Sequence, residues 1–222
     1  MKKKFLLGAA SALALLASAC TNEEAAQNDA AGTNANAMMA DASNPFAQSE
    51  MQMNERMMAA VGTDVGDNWV RKMIEHHQGA IDMSRIVLDQ NPRPDVAEMA
   101  RMTIEKQGKE NEALRKLVKQ GSPSSQSGEL YRASMTQMHD GMMAAKGADV
   151  SETFLRKMLE HHRGGVTMSD VALQNGVSGA LRQQVQRTRD DQAKEAKMVE
   201  AMLRGESMSD AMQQTGVKSA AE

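Results

Sequence analysis

The stretch "MIEHHQGAIDMS", residues 73–84, recurs as "MLEHHRGGVTMS" at residues 158–169. Each copy sets two adjacent histidines between methionines, and together they hold four of the five histidines in the 222-residue chain. His76 corresponds to His161 and Met83 to Met168, an offset of 85. With no gap, the same offset aligns "QMNERMMAAVGTDVGDNWVRKMIEHHQGAIDMS" with "QMHDGMMAAKGADVSETFLRKMLEHHRGGVTMS". It continues to Gln107/Gln192 and Glu110/Glu195. This is an internal duplication. Two copies are too few for a solenoid, so the repeat predicts a compact pseudo-symmetric unit.

Each copy reads as helices. Asp64 and Asp149 stand as N-caps, with Asp67 and Glu152 three residues on as capping-box partners. The helix they open runs to about Gln90 before "NPRPD", and in the second copy to Gln174 before "NGVSG". A second helix follows in each, about 94–120 and 178–204. Its apolar residues recur at helical spacing: Val96, Ala100, Ile104, Leu114 and Leu117, then Leu181, Val185, Val199 and Leu203. Shorter Met-rich helices, about 49–61 and 130–146, precede each pair. The expected fold is all-α: a four-helix bundle built from two duplicated helical hairpins, with "GSPSSQSG" as the crossover loop. Repeat 1 spans about 49–121, repeat 2 about 128–206, and 207–222 form a C-terminal tail.

At about 100° per residue, Trp69, Met73, His76, His77, Ala80, Met83, Ser84 and Val87 share one helix face. The second copy repeats it with Phe154, Met158, His161, His162, Gly165, Met168 and Ser169. Methionine alone on such a face reads first as core filling. Four imidazoles in the middle of an apolar stripe are different, because buried polar groups require partners. A metal ion would supply one. Imidazole beside thioether selects a soft ion, above all Cu(I). The 21 methionines against a single cysteine agree, since outside the cytoplasm thiols are prone to oxidation to disulfides. The candidate ligands are therefore Met73, His76, His77, Met83, Met158, His161, His162 and Met168. Met138, His139 and Met142, within "MTQMHDGMM", form a secondary set. Gln107, Glu110, Gln192 and Glu195 on the following helices suit hydrogen bonds to the other ring nitrogens, and equally direct ligation. Di-iron chemistry of the ferritin kind uses Glu-x-x-His. Here Gln78 follows Glu75 and Arg163 follows Glu160 at that spacing, so the signature is missing. No phosphate loop, HExxH or nucleophile–base pair points to catalysis.

The N-terminal "MKKKFLLGAASALALLASAC" has three lysines, then an apolar run too short to cross a bilayer. Cys20 sits at a lipobox-like position, which predicts a leader over residues 1–19 and lipidation at Cys20. Ala17 departs from the usual leucine of that motif. Residues 20–48 are small and polar and read as a flexible tether. The formal charge is −3 with one Trp and one Tyr, which offers nucleic acid neither a basic stripe nor stacking aromatics.

The paired double-histidine segments, each followed by Gln-x-x-Glu in the next helix, resemble the bacterial domain-of-unknown-function family 305. That resemblance covers about residues 49–205. It implies an exported, ferritin-like, His/Met-rich bundle, with His76, His77, His161 and His162 as signature residues, in a family some of whose members are implicated in copper tolerance. The expectation is an envelope protein that buffers or chaperones Cu(I), and by similarity Ag(I), rather than an enzyme. It would be lipid-anchored facing the periplasm, at the outer membrane rather than the inner, with a copper-handling protein as partner. The rival is a metal-free helical adaptor whose methionine faces bind other chains.

Overall fold

The computed structural model describes residues 44–218. The leader, Cys20 and most of the tether lie outside the described residues. Eight helices follow in order among those described: α1 (Ala47–Ala59), α2 (Val65–Asp89), α3 (Pro94–Arg115), α4 (Ser125–Glu129), α5 (Arg132–Ala144), α6 (Val150–Gln174), α7 (Gly179–Leu203) and α8 (Met208–Thr215). The chain is an all-helical bundle. Helices α2 and α3 form one hairpin and α6 and α7 the other, α2 packs on α6, and α1 packs on α5.

The long helices start where their caps place them. Asp64 accepts from the Asp67 amide at 3.0 Å, and Asp149 from the Glu152 amide at 2.7 Å. The carboxylates of Asp67 and Glu152 reach back to the amides of Thr63 and Ala148, each at 2.8 Å. Such a cap contributes about 1 kcal/mol. Gly62 and Gly147 let the chain turn tightly into it: an added Cβ would stand 2.5 Å and 2.6 Å from the backbone of α2 and α6.

The predicted faces are buried throughout, from Trp69 to Val87 and from Phe154 to Ser169. The Trp69 indole donates to Ser169 Oγ at 3.1 Å, joining the two repeats through their cores. Two equivalent lysines close the short helices. Lys72 donates to the carbonyls of Met57 and Ala60, and Lys157 donates to that of Met142. Lys157 also pairs with buried Glu50 at 2.7 Å. Met135 occupies the register of Glu50 in the second copy, so Lys72 has no carboxylate there, and burial brings it down to about 8.

Four segments depart from the sequence reading. Helix α3 ends at Arg115, not near 120. Asp67, already capping α2, also accepts from the Lys119 amide at 2.9 Å, which bends 116–120 over the start of α2 and leaves Leu117 exposed. The crossover is not a plain loop, because Ser124 caps the short helix α4. Phe46, placed in the tether, is fully buried and meets the Phe154 ring at 6.0 Å. The tail folds back as α8, capped by Ser207, with Met208, Ala211 and Val217 buried.

Candidate metal centre

Helices α2 and α6 meet at His76 and His161. His76 Nε2 donates to the His161 carbonyl at 2.9 Å, and His161 Nε2 donates to the His76 carbonyl at 2.8 Å. The two rings stack with centroids 3.6 Å apart and planes 23° from parallel. Gly165 makes room, since a Cβ there would come within 3.0 Å of His76 Cε1. A carbonyl only accepts, so both Nε2 atoms carry the proton and both Nδ1 atoms keep bare lone pairs. Each Nδ1 is buried without a hydrogen-bond partner.

The outer pair faces α3 and α7. Neither ring nitrogen of His77 makes a well-formed hydrogen bond; Asn111 is the amide beside it, and its Nε2 lies 3.5 Å from Glu110 Oε2. His162 Nδ1 donates to Gln192 Oε1 at 2.9 Å and stands 3.4 Å from Glu195 Oε2. Lys106 Nζ lies between the two carboxylates, 2.5 Å from Glu195 Oε1 and 3.9 Å from Glu110 Oε1. Gln107 Oε1 and Asn111 Oδ1 are buried without partners, while Asn111 Nδ2 holds the Ile74 carbonyl at 3.1 Å.

Burial sets the charge state. It holds His76 and His161 well below the ordinary imidazole value, reinforced by the neighbouring histidines. Burial, and then His161, push His77 to about 3. His162 is lowered by burial against the opposing pull of Glu195. Glu110 rises to about 8 through burial and the Glu195 charge. Lys106 is raised, because Glu195 outweighs the burial that opposes it. All four imidazoles are thus neutral at pH 7, the form that ligates metals.

Met73, Met83, Met158 and Met168 are buried on the histidine faces. Met53 and Met138 lie over Gly79 and Gly164, where any side chain would collide with them. Met138 and Met142 are buried in α5 and His139 is half-buried, with no hydrogen bond from this set to the four histidines. Among the described residues, no three His, Cys, Asp or Glu side chains already form a ligating group; thioethers are not of that set. Sequence reasoning missed Lys106. The available signal was Asp191 at its register in the second copy, a reversal of charge just before the matched Gln107/Gln192 pair.

A duplicated helical bundle with paired buried histidines on its internal pseudo-dyad defines the class. The family described as Domain of unknown function (DUF305) matches residues 13–118 and again 116–203, and the chain belongs to it. The two matches correspond to the two repeats. A solved chain described as the crystal structure of a putative secreted protein DUF305 from Streptomyces coelicolor is 24% identical, with TM-score 0.44, over 69% of this chain and 94% of that one. No curated protein matches the chain. No described helix is long and apolar enough to cross a membrane.

Proposed function

We propose that this protein binds Cu(I), and by the same chemistry Ag(I), in the bacterial cell envelope as a buffer or chaperone. The observation that carries the reading is the set of buried, neutral imidazoles, with bare Nδ1 atoms on His76 and His161 and an unbonded His77, on faces that also bury Met73, Met83, Met158 and Met168. Soft thioether and imidazole donors favour Cu(I) over hard cations. The role is binding, not catalysis. The leader and Cys20 support export and lipid anchoring, with the outer membrane favoured because Thr21 is not the inner-membrane retention aspartate.

Apo-protein titrated anaerobically with Cu(I) against a chromophoric chelator should withdraw copper stoichiometrically. A variant with His77 and His162 changed to Leu should not. No withdrawal by the wild type favours the metal-free adaptor. Cys20→Ser should move the protein from the membrane fraction to the soluble envelope fraction; unchanged partitioning rejects the anchor.

A further inference from the structure

The outer half of the site has a chemistry of its own. Glu110 and Glu195 occupy equivalent positions in the two repeats, and both approach the ammonium of Lys106. Behind them stand His77, with two unbonded ring nitrogens, and His162. Glu195 Oε2 is buried without a hydrogen-bond partner, 3.4 Å from His162 Nδ1. Two carboxyl groups therefore meet at one ammonium, with the His77 nitrogens and Glu195 Oε2 left unbonded beside it. Such a surplus of unsatisfied buried acceptors is costly unless a cation of higher charge enters.

We propose that this is a second cation site, of the imidazole–carboxylate type, which takes a borderline divalent metal ion and is closed in the present state by Lys106. The ligands are His77, His162 (its Nδ1 released from Gln192), Glu110 and Glu195, and this assignment does not rest on the Cu(I) reading although it shares two histidines with it. Imidazole with carboxylate suits zinc-like ions rather than Cu(I). The lysine is an internal competitor: its Nζ, 2.5 Å from Glu195 Oε1, occupies the space a metal ion would fill. It has somewhere to go. A surface cavity of about 280 Å³ is lined by Lys106, Glu110 and Asp191 together with Lys109, Lys194 and Lys218, so the long, unbranched side chain can swing outward toward Asp191, which Lys194 also faces at 4.0 Å. Asp191 is Lys106's own counterpart in the second repeat, so the duplication supplies both the latch and its resting place.

Co(II) is the probe, because its visible d–d bands report tetrahedral imidazole–carboxylate ligation. Wild-type protein should develop these bands. Lys106→Gln, which removes the competitor, should bind Co(II) about tenfold tighter or more, the scale of one charge-assisted hydrogen bond. Lys106→Arg keeps the charge, guards against a folding failure, and should bind more weakly than wild type, because a guanidinium holds carboxylates by two bonds. Glu195→Gln should abolish the bands. Bands that survive Glu195→Gln, or an affinity unmoved by Lys106→Gln, would overturn the proposal. So would a Lys106→Arg protein that binds as tightly as wild type. Changing Met73 and Met158 to Leu separates the two metal assignments, since Co(II) binding should persist there whatever becomes of Cu(I).

Discussion

His76 and His77 are neighbours in sequence, yet their replacement by leucine should have opposite effects on the apo-protein. His77 is fully buried, and neither ring nitrogen makes a hydrogen bond. Leaving a buried polar group unsatisfied costs about 1–3 kcal/mol, so His77→Leu should be neutral or stabilising by that order. His76 donates from Nε2 to the His161 carbonyl and stacks on the His161 ring. Losing the bond costs about 0.5–1.5 kcal/mol and losing the stack a similar amount. Removing the unpartnered Nδ1 offsets part of this, so a net loss of about 1 kcal/mol remains. The His161 carbonyl lies inside α6, which limits the damage to that scale. For a domain of this size 1 kcal/mol moves the melting temperature by about 2–4 °C, and the two variants should separate by about twice that in apo thermal scans. Metal reverses the order of interest: free Cu(I) at about 100 times its dissociation constant should raise the wild type by about 2.7 kcal/mol and His77→Leu by much less. A His77→Leu apo-protein destabilised as much as His76→Leu would overturn this, because it would mean that Asn111 or Glu110 holds His77 in a full hydrogen bond.

Acid should unfold the protein earlier than its surface carboxylates require. His77 titrates at about 3 when folded against 6.5 when unfolded, so its contribution is present above 6.5 and lost as pH falls toward 3, amounting to about 2 kcal/mol by about pH 5. His76, His161 and His162 act with the same sign, while Glu110, raised to about 8, opposes them from 4.5 upward as one group against four. Denaturant midpoints that stay level from pH 7 to pH 5, or a slope that His77→Leu fails to flatten, would contradict this. Residues 49–121 expressed alone should be poorly folded or should dimerise, because Trp69 and the His76 ring both find their partners in the other repeat. A monomeric half with a sharp thermal transition would count against a single cooperative bundle.

The bundle was legible because its determinants are local and repeated. Asp64 with Asp67 and Asp149 with Glu152 announce two helix starts, and the 3.6-residue stripe announces two buried faces. Two of the segments that differ depend on long-range contacts, whereas α4 and α8 start on the local caps Ser124 and Ser207. Leu117 continues the stripe of α3, but the Asp67 carboxylate captures the Lys119 amide from a distant part of the chain and ends the helix. Phe46 looks like part of a polar tether until Phe154 is placed beside it. At the site, the repeat put all four histidines on core faces but did not distinguish them. Which ring stacks and which is left unbonded follows from the crossing of α2 and α6, where backbone carbonyls serve as acceptors. Carbonyls leave no mark in a sequence. Lys106 escaped notice because a lysine among acidic residues on a helix flank is ordinarily a solvated one.

Imidazole and thioether together, as proposed, would hold a soft metal ion in this bundle. X-ray absorption at the copper edge, on protein loaded with Cu(I) and then freed of loosely held ion by a chelator, reads those donors directly. Retained copper should show both nitrogen and sulfur in its nearest shell, with the nitrogen contribution reduced to that of His76 and His161 when His77 and His162 are replaced by leucine. Protein that retains no copper, or copper surrounded by oxygen and nitrogen alone, would contradict the proposal.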